Sequence, residues 1–97
     1  MKLTELVKRI LMATDDLDFP SISSGGSEEL TIIVTGAAVG DAVALGLPAS
    51  PPSGLVWNAY VSVVDTVTVR ATNITGSAIE PAEQSYTVAV IKLPEPE

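Results

Sequence analysis

The sequence predicts a small all-β protein, an antiparallel β-sandwich preceded by a short N-terminal amphipathic helix. Three observations support this fold class. Apolar and polar residues alternate through several short segments, as in strands whose successive side chains point to opposite faces. Glycine and proline turns separate these segments at roughly ten-residue intervals, with no helical pattern between them. A chain of 97 residues is also long enough for one domain only.

The predicted helix covers residues 1–14. Its apolar residues recur at helical spacing and form one stripe, consisting of Leu3, Leu6, Val7, Ile10 and Leu11. The charged pair Lys8 and Arg9 interrupts the apolar centre that a signal peptide would need, and the segment is too short to span a membrane. We therefore expect the stripe to pack against protein, either the chain's own β-domain or a neighbouring molecule.

Residues 15–29 are predicted to form a linker that contains a possible first strand near Phe19. Three carboxylates open this linker, those of Asp15, Asp16 and Asp18. Such oxygen ligands suit calcium, but the run lacks the glycine and the distant glutamate of a calcium loop. A solvated acidic linker is therefore the favoured interpretation.

The β-sandwich is predicted over residues 30–93. Five strands are expected in it, at residues 30–35, 42–47, 55–64, 67–72 and 84–93. In the fourth of these, Val67, Val69 and Ala71 alternate with threonines and Arg70, which gives one apolar and one polar face. Jelly-roll-like and immunoglobulin-like topologies both fit this pattern. Residues 94–97 are expected to be a disordered polar tail.

Three features of this domain are candidates for contact with a partner. The proline-rich connection at 48–54, with Pro51 and Pro52, is expected to be an exposed loop. Trp57 is interpreted first as an anchor of the core and second as an interface residue, whereas Tyr60 fits either role. The glycosylation pattern that begins at Asn73 is interpreted as accidental, because no export signal precedes it.

Composition argues against several classes of function. The chain contains neither His nor Cys, so the usual base–nucleophile pairs and zinc sites are missing, and we expect no enzyme, cofactor or metal. Residues 15–97 hold two basic residues against eleven acidic ones, a net charge of −9, whereas residues 1–14 carry +2. An acidic domain repels phosphate backbones, so nucleic acid is not an expected partner. Neither a membrane nor a small-molecule substrate is expected.

A run over residues 29–46, ELTIIVTGAAVGDAVALG, resembles part of a small β-domain of tailed-phage and prophage virion proteins. Shorter segments extend the likeness over about residues 19–92, namely GLVW at 54, DTVTVR at 65, NITG at 73, IEPA at 79 and YTVAVI at 86. Free-standing domains of this kind resemble capsid decoration, or cement, proteins, which commonly sit as trimers on the shell. The predicted helix departs from this pattern and favours a self-contained protein that docks through its N-terminus.

The resemblance implies a structural virion protein, made in the host cytoplasm, that binds the major capsid protein as a homotrimer on the outer capsid surface. A tail-fibre or receptor-binding accessory module of a tailed phage is the alternative, and a surface adhesin domain is a third interpretation. The candidate interface comprises Leu3, Leu6, Val7, Ile10, Leu11, Pro51, Pro52, Trp57 and Tyr60.

Overall fold

The computed structural model describes residues 10–92, which form six β-strands and no helix. The strands are β1 (Ile10–Leu17), β2 (Ser27–Ile33), β3 (Ala42–Gly46), β4 (Leu55–Val63), β5 (Thr66–Asn73) and β6 (Gln84–Ile91). The predicted all-β class is therefore confirmed for this part of the chain.

The strands form two antiparallel three-stranded sheets. One sheet has the order β1-β6-β3 and the other has the order β2-β5-β4. The first four strands alternate between the two sheets and form their edges. β5 and β6 are the central strands, β5 in the second sheet and β6 in the first. Buried side chains from both sheets join in one core, an arrangement that fits a β-sandwich.

The core lies between the two central strands. The inward-facing residues of β5 and β6 are fully buried: Val67, Val69, Ala71, Tyr86, Val88 and Val90. Phe19 and Ile22, from the connection between β1 and β2, are buried with them. Each large apolar side chain removed from water contributes about 1.5–3 kcal/mol to folding, so these two strands supply much of the stability.

The helix prediction is wrong for residues 10–14, which lie in β1. Ile10 pairs with Ile91 and Thr14 pairs with Thr87 in an antiparallel ladder with β6. Neighbouring residues Ile10 and Leu11 therefore point to opposite faces of a sheet and cannot share a stripe. Pairing with the apolar strand β6 outweighs the local helical spacing, because tertiary contacts routinely override propensity. Residues 1–9 lie outside the described range.

The predicted linker is also partly strand. β1 continues to Leu17, and β2 begins at Ser27 rather than at residue 30. Between these strands, Ile22 forms a single bridge with Ile79, with backbone hydrogen bonds of 2.8 and 3.0 Å. The strand suggested near Phe19 is thus reduced to one bridge. The other predicted strands agree with β3, β4, β5 and β6 to within about two residues, the usual uncertainty of an element end.

The connections define two ends of the molecule. Ile10, Ala42 and Ile91 lie in one row, so the start of β1, the start of β3 and the end of β6 share one end. The β2–β3 loop and the β4–β5 turn lie there too, because the Asp65 N–H donates to the Ala37 carbonyl oxygen at 2.8 Å. We call this the Ile10 end. The proline-rich connection lies at the opposite end, beside Leu17.

Candidate docking surface

The candidate functional feature of the described residues is an exposed apolar surface. Within residues 10–92, His, Cys, Asp and Glu form no cluster that could hold a metal ion. In the acidic run, the Asp16 carboxylate accepts a hydrogen bond from the Ser85 hydroxyl, and the Asp15 carboxylate accepts one from the Asp16 N–H. No helix in this range is long and apolar enough to cross a membrane.

The outer face of the β1-β6-β3 sheet carries a patch of apolar side chains. Strand register places its members in two adjacent rows, Ile10–Ile91–Ala42 and Met12–Ala89–Ala44. We call these six residues the apolar patch. Met12 is 67% exposed, and none of the six carries a charge. Clustered exposed apolar side chains, rather than scattered ones, mark surfaces that bind other molecules.

Polarity increases along this face, away from the Ile10 end. The next row contains Thr14, Thr87 and Gly46, and the two threonine hydroxyls lie 2.8 Å apart in a hydrogen bond. The last row pairs Asp16 with Ser85. The apolar patch is therefore confined to one end of this face. Hydroxyl and carboxylate groups occupy the rest of the face, toward the opposite end of the sheet.

Further apolar side chains surround the Ile10 end. Four residues of β2, the β2–β3 loop and the β4–β5 hairpin are more than half exposed there: Ile33, Val39, Val63 and Val64. Exposed valine and isoleucine are costly in water, at about 25 cal/mol per Å² of apolar surface. They lie at the same end of the molecule as the apolar patch and extend its exposed apolar surface.

A network of hydrogen bonds holds the loop beneath this end. Lys92 Nζ lies 2.7 Å from Asp41 Oδ2 and donates to the Gly36 carbonyl oxygen at 3.1 Å. The hydrogen bond from Lys92 lowers the pKa of Asp41, and the Ala38 N–H adds to this effect. Asp65, at a φ of +63°, accepts the Gly36 N–H on its carboxylate at 2.8 Å. The exposed apolar side chains thus sit on an ordered support.

Of the predicted interface residues, Ile10 alone lies in the apolar patch. Leu11, its neighbour, faces inward and packs against the core. It also lies close to Gly36, since a Cβ atom added to Gly36 would be 3.1 Å from Leu11 Cδ1. Leu3, Leu6 and Val7 are outside the described residues.

Trp57 and Tyr60 occupy separate sites on β4. The half-buried ring of Trp57 packs edge-on against Phe19, with centroids 5.4 Å apart, and lies 5.4 Å from the Tyr86 ring. Trp57 is thus part of the aromatic cluster that borders the core. Burial raises the pKa of Tyr86, whose hydroxyl has no hydrogen-bond partner among the described residues.

Tyr60 lies on the outer face of the β2-β5-β4 sheet, opposite to the apolar patch. There Arg70 donates to Glu29 Oε2 through Nε at 2.7 Å and to the Tyr60 hydroxyl through Nη2 at 3.2 Å. The Glu29 carboxylate raises the pKa of Arg70. The Arg70 guanidinium also lies 5.3 Å from the centroid of the Tyr60 ring, within cation–π range. Around Arg70, this outer face is polar and aromatic.

Pro51 and Pro52 lie at the opposite end from the apolar patch, in the loop between β3 and β4. Pro51 is exposed and Pro52 is half-buried. Next to this loop, the side chain of Asn73 is buried and both of its amide hydrogens are donated to backbone carbonyls. The folded protein therefore leaves no amide hydrogen of Asn73 free for glycosylation.

The described members of the predicted interface do not form one surface, and five of the six residues of the apolar patch were not predicted. Met12 was not included in the predicted helical stripe, and Ala42, Ala44, Ala89 and Ile91 were not included in the predicted interface. Reading residues 10–14 with a period of two would have placed Ile10 and Met12 together. Comparison of the chain with protein-family models, with curated proteins and with solved structures found no match.

Proposed function

We propose that this protein is a structural, non-enzymatic virion protein that decorates a phage capsid and stabilises the shell. The observation that carries the proposal is the apolar patch, with the exposed valines and isoleucine around it. A surface of this kind, on a protein of net charge −7, suits protein contact and not binding to nucleic acid. The virion setting rests on the resemblance of residues 29–46 to phage β-domains.

The size of the patch favours attachment to an assembled lattice. Six side chains on three strands about 4.8 Å apart cover on the order of 200 Å². A stable pair of proteins buries about 800 Å² on each partner, so the patch alone supports only weak binding. Residues 1–9 would add Leu3, Leu6 and Val7 to this contact. A ligand that binds only the assembled shell stabilises it by mass action, even when each copy binds weakly.

Strand order supports a jelly-roll-like connectivity over an immunoglobulin-like one. The chain alternates between sheets through β1, β2, β3 and β4, and then places β5 and β6 in the two centres. This is the order of a jelly roll that lacks one strand in each sheet. Jelly rolls occur in viral capsid and lectin domains, so the support for a virion role is an analogy at the level of the fold.

The direct test is co-sedimentation of purified protein with empty capsids. The variant Met12→Lys places a charge in the patch at an exposed position, where the fold tolerates it. We expect it to weaken binding to shells by at least about tenfold, the effect of about 1.4 kcal/mol. Leu6→Asp tests the contribution of residues 1–9 in the same assay.

Val56→Lys is the matched control. Val56 is 50% exposed on the outer face of the other sheet, so the substitution adds the same charge at the far side of the sandwich. It should bind shells as the unmodified protein does. Equal binding by Met12→Lys and the unmodified protein would contradict docking through the apolar patch.

The polar outer face favours a second candidate, a receptor-binding module of a tail or fibre. Exposed tyrosine beside arginine, carboxylate and amide side chains suits recognition of a polar ligand, and Tyr60, Arg70, Glu29 and Asn58 lie together there. Location separates the candidates. Immunogold labelling of many copies on heads supports decoration, whereas a few copies on tails, with adsorption lost in Tyr60→Ala, supports the receptor-binding module.

A further inference from the structure

Within residues 10–92, one side of the sandwich carries no charged side chain. Residues 42–64, which include the two edge strands β3 and β4, contain no Asp, Glu, Lys or Arg. The only carboxylate directly before β3 is that of Asp41, which is paired with Lys92 at 2.7 Å. Copies of an acidic protein repel one another, so self-association requires contact through a neutral surface. The β3–β4 side provides that surface.

The four edge strands differ in their protection against pairing. β1 carries Asp15 and Asp16, β2 carries Glu28 and Glu29, and β4 has an irregular register between Val61 and Val63. Charges and bulges of this kind prevent the pairing of an edge with another strand. β3 has neither, and in the described part of the chain its only ladder partner is β6.

The side chains of β3 also leave room for a neighbouring strand. Its outward residues are small: Ala42, Ala44 and Gly46. Its inward residues Val43 and Leu45 stay half-exposed at the edge, whereas the inward residues of the adjacent strand β6 are fully buried. A strand added at this edge would cover them and would pair the free backbone groups of β3.

We propose that two copies of this chain pair through β3, antiparallel, about a two-fold axis that passes beside Ala44. A single two-fold contact is self-complementary, since each copy offers the same strand. The five-residue ladder is short, so the dimer is weak and forms with increasing concentration. It joins the two β1-β6-β3 sheets into one sheet of six strands.

This dimer would bring both apolar patches to the same side of the joined sheet. Two weak docking sites would then be presented together, which raises their combined binding to a lattice. The pairing itself does not depend on the proposed docking to a shell. It also differs from the trimer that the resemblance implies, so the oligomeric state decides between them.

The test uses a pair of charge variants at the centre of β3. Ala44→Lys puts two lysines opposite each other across the axis, and Ala44→Glu does the same with two glutamates. Sedimentation equilibrium should show that each variant alone has a dimer dissociation constant raised at least about tenfold. An equal mixture should form a heterodimer at least as tight as the unmodified dimer, which a simple loss of folding cannot produce.

Met12→Lys is the control on the same outer face, at the far edge strand. It should leave the dimer unchanged while weakening binding to shells, so the two proposals fail independently. Amide hydrogen exchange adds a readout without substitution, in which β3 amides gain protection as concentration rises. A monomer at all concentrations, a trimer, or a dimer lost in Met12→Lys but kept in Ala44→Lys would overturn pairing through β3.

Discussion

The side-chain amide of Asn73, at the end of β5, donates a hydrogen bond of 2.9 Å to the carbonyl oxygen of Ile22, in the connection between β1 and β2. The same amide donates to Ser77 at 2.8 Å, and its oxygen accepts from the N–H and hydroxyl of Thr75. One buried side chain thus joins two connections that are distant in sequence.

Replacement of Asn73 by Ala should destabilise the protein by about 2–4 kcal/mol, because a buried side chain loses its four hydrogen bonds and leaves a cavity. Urea unfolding followed by Trp57 fluorescence measures this free energy. Asn58→Ala is the control, since Asn58 is exposed on β4 and its loss should change stability by less than about 0.5 kcal/mol. Similar values for both variants would contradict a structural role for the Asn73 amide.

Tyr86→Phe should leave stability unchanged or raise it by about 1 kcal/mol. The Tyr86 ring is fully buried, and its hydroxyl has no partner among the described residues. An unpaired hydroxyl in an apolar core carries a desolvation cost that phenylalanine removes, while the ring contacts with Phe19 and Trp57 remain. A loss of more than about 1 kcal/mol in denaturant unfolding would indicate that the hydroxyl is satisfied, for example by a bound water.

Asp41→Asn should lower stability at neutral pH, and the difference from the unmodified protein should shrink in acid. The folded-state pKa of Asp41 is lowered by Lys92, so its contribution is present above the ordinary aspartate pKa of about 3.9 and is lost as pH falls through the folded-state value. Denaturant unfolding of both proteins across this range measures the effect. A difference that stays constant with pH would rule out the ion pair as its source.

Gly54→Ala should destabilise the protein more than Gly40→Ala. Both glycines have positive φ, +88° and +99°, so alanine is strained by about 1 kcal/mol at either position. At Gly54 a Cβ would also lie 2.5 Å from Thr75 Cγ2, whereas at Gly40 it meets nothing within 4 Å. The difference in Tm between the two variants, measured by thermal unfolding, gives the destabilisation caused by the contact with Thr75. Equal shifts would show that the loop after β5 gives way without cost.

The alternation of apolar and polar residues was sufficient to predict β3, β4, β5 and β6 and the buried face of β5. Val67, Val69 and Ala71 face the core because their polar neighbours cannot be buried there without partners. The glycines at 36 and 40 take the positive φ that their turn requires. These features depend on period and turn chemistry, which are local properties of the chain.

The strand identity of residues 10–14 and the position of the apolar patch were decided by tertiary structure. Ile10 and Leu11 fit a helical stripe equally well, and only the ladder with β6 sends them to opposite faces. Ala42, Ala89 and Met12 come from three segments that are distant in sequence, so no local pattern could bring them together. Side-chain chemistry and backbone sterics act locally along the chain, so the buried face of β5 and the turn at Gly36 and Gly40 could be predicted without the fold. Sheet pairing determined which exposed residues became neighbours, because register joins segments that have no relationship along the chain.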